Sequence, residues 1–170
     1  MGNEIYAQVL PQSDISSGNI ATSEVKVVNN TLPTINSVTL LPLNPNENQD
    51  LVLTWDFYDF EMQALFDNDN TFQSNRTSVK WYRKSLISTA TTLWVLVHDS
   101  SDSLSQDFVL PGYENKINNS KSRDQQGVSI LSSTATRAGE SWRCEITPND
   151  GIDDGITRSS NTVLITVASN

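Results

Sequence analysis

Apolar and polar residues alternate along much of this chain with a period of two. Leu51, Leu53, Trp55 and Phe57 interleave with Val52, Thr54 and Asp56; Trp142, Cys144 and Ile146 interleave with Arg143, Glu145 and Thr147. Successive side chains of a strand point to opposite sides of the sheet, so each such run has one dry face and one wet face. Similar runs predict strands over 25–28, 35–41, 51–58, 78–83, 93–98, 128–131, 141–147 and 163–167. Clusters of Asn, Asp, Ser, Gly and Pro separate them and supply turn chemistry. The nearest thing to a helical stripe is 61–66, read as a single turn. The expected fold class is all-β, an antiparallel β-sandwich.

A segment near the start repeats one near the end. Ile5-Tyr6-Ala7-Gln8-Val9-Leu10-Pro11, then Gly18, Ser23 and Val25-Lys26-Val27, match Trp142-Arg143-Cys144-Glu145-Ile146-Thr147-Pro148, then Gly155, Ser160 and Val163-Leu164-Ile165. The spacing is constant apart from one residue gained before the last strand. Residues 1–30 are therefore expected to form an extra N-terminal β-hairpin, either the terminal hairpin of a preceding repeat or a strand segment shared between subunits. Residues 31–170 are expected to form one complete sandwich domain. A lone hairpin is marginal in water, so its apolar edge should pair in this chain or in another.

Composition narrows the partners. The 170 residues carry a formal net charge of −9 with only 18 % charged residues. An excess of carboxylates argues against a nucleic-acid partner, whose backbone needs a positive surface. No stretch approaches the ~20 apolar residues of a membrane-spanning helix. The start, Met1-Gly2-Asn3-Glu4, lacks the features of a secretory leader, and the expectation is a leader already removed or a piece of a longer chain. Cys144 is the one cysteine. It permits no intrachain disulfide and no cysteine-based zinc site, and it is expected to be a buried small hydrophobe.

Candidate chemistry is sparse. Asp56, Asp59 and Glu61 lie near the end of one strand, followed by Asp67 and Asp69 in a loop. Hard oxygen ligands at alternating positions suit Ca²⁺, whereas the competing reading is ordinary turn chemistry. Asp150, Asp153 and Asp154 pose the same choice. The single histidine, His98, precedes Asp99 and Ser100, but neighbours on a strand point to opposite faces and make no triad. No cofactor other than Ca²⁺ and no enzymatic activity is expected. Tyr113, in a Pro-Gly-Tyr turn, is a candidate ligand-binding ring; Trp94 is the other aromatic weighed for sugar stacking, with core packing the commoner use. Asn29, Asn75 and Asn118 open Asn-x-Ser/Thr sequons and are glycosylation candidates, the latter two in expected loops.

An aromatic two residues before a strand cysteine is how the sixth strand of an immunoglobulin-type sandwich reads. Trp142-Arg143-Cys144-Glu145-Ile146-Thr147-Pro148-Asn149-Asp150-Gly151, with Asp154-Gly155 and Ser160 following, resembles the closing motif of Ig-like repeat domains of prokaryotic, notably archaeal, cell-surface proteins. Pro33-Thr34-Ile35-Asn36-Ser37-Val38 looks like their opening strand, and Val79-Lys80-Trp81-Tyr82 like the strand bearing the core tryptophan. Trp55-Asp56-Phe57 is similar, secondarily, to the core signature of polycystic-kidney-disease-type repeats, without the Gly-Asp-Gly that should follow. The resemblance implies an Ig-like sandwich with Leu53, Trp55, Trp81, Trp142 and Cys144 in its core. Family members often pair the Cys144 position with a second cysteine, and Leu53 stands at that place here. It also implies an extracellular, structural or adhesive role at the cell surface, in contact with neighbouring repeats or copies of itself. The alternatives are a module binding surface carbohydrate or host surface, and an accessory domain of a secreted hydrolase.

Overall fold

The computed structural model describes residues 3–60, 76–85, 93–100, 108–121 and 126–169. It divides into two units, Met1–Thr31 and Leu32–Asn170. The first is the expected hairpin: β1 (Asn3–Ile5) pairs β6 (Lys26–Val28), β2 (Gln8–Val9) pairs β5 (Ala21–Thr22), and β3 (Gln12–Ser13) pairs β4 (Ser16–Ser17), all antiparallel. Side chains from Glu4 through Val27 are exposed.

The second unit is a sandwich of β7 (Thr34–Leu41), β8 (Leu51–Tyr58), β9 (Ser78–Ser85), β10 (Val95–Asp99), β11 (Phe108–Val109), β12 (Ile117–Lys121), β13 (Gln126–Leu131), β14 (Glu140–Thr147), β15 (Arg158–Ser159) and β16 (Val163–Leu164). One antiparallel sheet runs β12-β13-β8-β7; the other runs β11-β10-β9-β14-β15, with β16 also on β14. Their inner faces share one core, to which Leu53, Trp55, Trp81, Trp142 and Cys144 all belong. On β8 the buried residues are Leu51, Leu53, Trp55 and Phe57; on β14 they are Glu140, Trp142, Cys144 and Ile146. Strict alternation is what a strand covered on one side requires.

Two strands break that alternation, each at a register shift. On β7 the shift between Ile35 and Ser37 lets Ile35 and Leu40, of opposite parity, both face inward. On β10 the shift between Leu96 and His98 buries Val97 and His98 side by side. An extra residue in one strand flips every later side chain, and a bulge is how a strand does this.

The open side between β7 and β16 is closed by a side chain acting as backbone. Asn161 accepts from Leu40 N through Oδ1 at 2.8 Å and donates from Nδ2 to Leu40 O at 2.9 Å. Farther along, Asn46 and Thr166 form a parallel bridge, with Glu47 N donating to Thr166 O at 3.0 Å.

Three expectations change here. β11, β12 and β15 were not foreseen, being short or polar. Asn118, expected in a loop, stands exposed on the edge strand β12. The repeat needs no gained residue: Glu4↔Val27 and Ile5↔Lys26 correspond to Ser141↔Leu164 and Trp142↔Val163, each 137 positions on. Lys26, not Val25, therefore stands where Val163 does. The expected turn at 61–66 lies outside the described residues.

Gly127 on β13 lies flat beneath the Trp55 indole, and an added Cβ there would overlap ring carbons. Gly127→Ala should therefore cost about 1–3 kcal/mol. Urea unfolding of the full chain measures it; an unchanged midpoint would mean the indole swings away freely.

Candidate functional site

The wet face of the six-strand sheet gathers the most interactive side chains. Tyr82 on β9 and Arg143 on β14 sit directly opposite one another. The Arg143 guanidinium lies 5.2 Å from the Tyr82 ring centroid and 4.8 Å from that of Trp94, so a cation bridges two aromatic rings. Such contacts contribute ~0.5–1 kcal/mol each at exposed sites. Glu145, two residues along the same strand, accepts from Arg143 Nη2 at 3.2 Å and from the Tyr82 hydroxyl at 3.0 Å. Beside this group, Lys80 pairs with Asp99 at 3.3 Å.

Burial, and then the hydrogen bond to Glu145, push the Tyr82 phenol up to about 12. Both carboxylate oxygens of Glu145 are engaged, and the phenol keeps its proton at neutral pH. The arrangement suits contact rather than proton transfer: a flat aromatic and cationic surface, of the kind that stacks on sugar rings or on another protein. The raised pKa has a readable sign. Tyr82 contributes full stability below its ordinary value of 10, and that contribution is lost as pH rises toward about 12. Buried Tyr113 is also raised, chiefly by desolvation, so ultraviolet titration of phenolate should lose its latest component in Tyr82→Phe while the Tyr113 component stays; an unchanged latest component would reassign it.

Among the described residues, the candidate acids and the histidine stand in separate places. Asp56 is half-buried on β8, its Oδ2 3.4 Å from Asn36 Nδ2, while Asp59, just beyond the strand, is buried. Glu61, Asp67 and Asp69 lie outside the described residues. No group of three or more His, Cys, Asp or Glu among the described residues is placed to hold a metal ion. At the second acidic cluster, buried Asp150 accepts from Ile152 N and Asp153 N, and Asp154 accepts from Asn149 Nδ2. These bonds make it a folded turn. His98 faces Asn119 Nδ2 at 3.0 Å, Asp99 turns to Lys80, and Ser100 Oγ accepts from Val79 N at 2.9 Å. The three neighbours serve three different partners.

Two aromatic expectations change places. Tyr113, expected on an open turn, is only 8 % exposed. Its ring packs on Trp142 at 6.0 Å, and its hydroxyl accepts from Arg83 Nη1 at 2.7 Å. Trp94, weighed toward the core, lies half-buried on the wet face. Cys144 is fully buried and free, and burial pushes its thiol well up. An aromatic disulfide reagent should leave it unmodified in the native chain and label it only in denaturant; rapid native labelling would show the core opens. The sequons at Asn29 and Asn118 are exposed, whereas Asn75 lies outside the described residues.

The hairpin offers a different kind of surface. Its sheets are two-stranded, so each strand has an outer edge with no ladder partner among the described residues, and Ile5 and Val9 are 59 % and 64 % exposed. Unpaired edges with apolar side chains invite another strand. Neither a family model nor a curated protein matches this chain. Among the described residues no helix is long and apolar enough to cross a membrane.

Sequence reasoning missed Tyr82, Arg143 and Glu145. It had placed Arg143 and Glu145 on a wet face, but it had no register between strands. Aligning the two tryptophan strands, Trp81 against Cys144, would have set Tyr82 against Arg143.

Proposed function

We propose that this chain is a non-enzymatic, structural or adhesive Ig-like module of an extracellular cell-surface protein, layer or filament, holding its neighbours through strand pairing and domain contact. The observation that carries this reading is the N-terminal hairpin, with its open edges and its exposed Ile5, Val9, Val25 and Val27. Burying such side chains contributes ~1.5–3 kcal/mol each, which favours a partner. The strand order of the sandwich supports the Ig-like part. One sheet, β7-β8-β13-β12, follows the A, B, E and D strands of a variable-type Ig domain, and the other follows its C″, C′, C, F and G strands.

The test is light scattering of the full chain across concentration, with Ile5→Lys/Val9→Lys beside it, in Ca²⁺ and in chelator. The chain should self-associate and the variant should stay monomeric. A chain that is monomeric throughout overturns the reading. A second reading, carbohydrate binding, is favoured by Trp94 and Tyr82 on one wet face. It predicts that oligosaccharide quenches the fluorescence of the full chain and not that of Trp94→Ala.

A further inference from the structure

The hairpin and the β14–β16 segment share more than sequence. Ser23 N donates to Ala7 O at 2.9 Å, and Ala7 N donates to Ser23 Oγ at 2.9 Å. Ser160 N donates to Cys144 O at 2.9 Å, and Cys144 N donates to Ser160 Oγ at 2.9 Å. Gly18 N reaches Pro11 O at 2.8 Å, as Gly155 N reaches Pro148 O at 2.8 Å. An added Cβ would meet the proline Cγ at 2.8 Å on Gly18 and at 2.9 Å on Gly155. The rungs Gln8↔Thr22, Val9↔Ala21 and Gln12↔Ser17 match Glu145↔Ser159, Ile146↔Arg158 and Asn149↔Asp154. Even the serine hydroxyl that spans the irregular rung occurs in both copies. Two unrelated hairpins have no reason to share a proline, a glycine, that serine and five rungs in the same register.

The copy inside the sandwich shows what such a hairpin is built against. Its outer edge is paired by β9 over eight rungs, Glu140↔Ser85 through Thr147↔Ser78. Its inner face, Trp142, Cys144, Ile146 and Val163, is buried in the core. The same positions in the first hairpin are Ile5, Ala7, Val9 and Lys26, all exposed. Three of the four are apolar. Leaving that face wet is what an isolated sheet does not do in water.

We infer that residues 3–28 are the closing hairpin of a second sandwich of the same kind, and that their partner is a polypeptide segment folding as β7 to β13 do and lacking those last strands. The hairpin's free edge takes the strand equivalent to β9, and Ile5, Ala7 and Val9 enter the partner's core. With Asn29 following directly, successive sandwiches would be joined by only a few residues. This deepens the structural reading above and rests on it for its purpose, while its geometry stands apart.

The tandem polypeptide that tests it places a copy of residues 32–139 directly ahead of residues 3–170, so that Asn3 takes the position of Glu140. One version keeps the hairpin's sequence. A second matches the acceptor's core with Ile5→Trp, Ala7→Cys, Val9→Ile and Lys26→Val. The readouts are limited proteolysis and hydrogen exchange at the amides of residues 7, 18 and 23, with the 170-residue chain as reference. The core-matched tandem should yield two protease-resistant sandwiches, and exchange at those amides should slow about a hundredfold. Gly18→Val should abolish the gain by colliding with Pro11. The inference fails if the first copy of 32–139 stays cleavable in the core-matched tandem. It fails equally if tandem chains dimerise by exchanging their 140–165 hairpins while residues 7, 18 and 23 stay unprotected. Two sandwiches in a tandem, with a 170-residue chain that never associates, would keep this inference and remove the surface-assembly reading; the converse pair would do the reverse.

Discussion

Replacing Trp81 with alanine should lower the unfolding free energy by about 3–5 kcal/mol. The side chain is fully buried and meets the Trp142 ring edge-on, with centroids 6.4 Å apart. Its indole N–H also donates to Ser129 Oγ at 2.9 Å, a bond from one sheet to the other. Ser129 in turn donates to Asn119 Oδ1, and the Asn119 amide faces His98. Alanine therefore opens a large cavity and removes the donor that begins this buried chain. Trp81→Phe keeps most of the volume and loses only the N–H, so it should cost roughly 1 kcal/mol from the bond plus a smaller packing loss. Urea unfolding followed by circular dichroism separates the two. Equal losses in both variants would mean that the hydrogen-bonded chain, and not packing, carries the effect. Since domains have about 5–15 kcal/mol in total, the alanine variant is expected to be partly unfolded at physiological temperature.

What was legible in the sequence follows from where burial is one-sided. β8, β9 and β14 are covered on one face only, so their alternation writes the inner face directly into the residues, and Leu53, Trp55, Trp81, Trp142 and Cys144 could be named in advance. β12 is an edge strand reading Ile-Asn-Asn-Ser-Lys, held by its pairing with β13 rather than by apolar content. That pairing is a tertiary fact, and local pattern does not carry it. The same strand shows why a sequon was misplaced: exposed Asn118 and inward Asn119 are neighbours, and only the sheet says which asparagine faces water. Tyr113 failed for a related reason, because its turn folds back over Trp142. The hairpin was legible because a repeat compares the chain with itself and needs no knowledge of packing.

Removing the Glu140 carboxylate should cost about 3–4 kcal/mol, although nothing in the alternation singles it out. It is a buried acid at an inward position of β14, 5 % exposed. One oxygen accepts from Arg83 Nη1 at 3.2 Å; the other accepts from Arg137 N at 3.0 Å and Trp142 Nε1 at 3.2 Å. Glu140→Ala leaves all three donors without their acceptor. The indole and amide bear most of the cost, about 1–3 kcal/mol each, because they are fixed beside the core. Arg83 bears less, since its side chain is 29 % exposed and water can take over. A double-mutant cycle with Arg83→Met tests that division. If the argument is right, the Arg83–Glu140 coupling is well under half the loss from Glu140→Ala alone. A coupling close to the whole loss would make the ion pair the dominant interaction and Trp142 a bystander. Glu140→Gln sharpens the choice, because its amide can accept on one side only: it must turn an N–H toward either Arg83 or the Trp142 and Arg137 donors, and a loss of only about 1 kcal/mol is expected if it turns that N–H toward the half-solvated arginine.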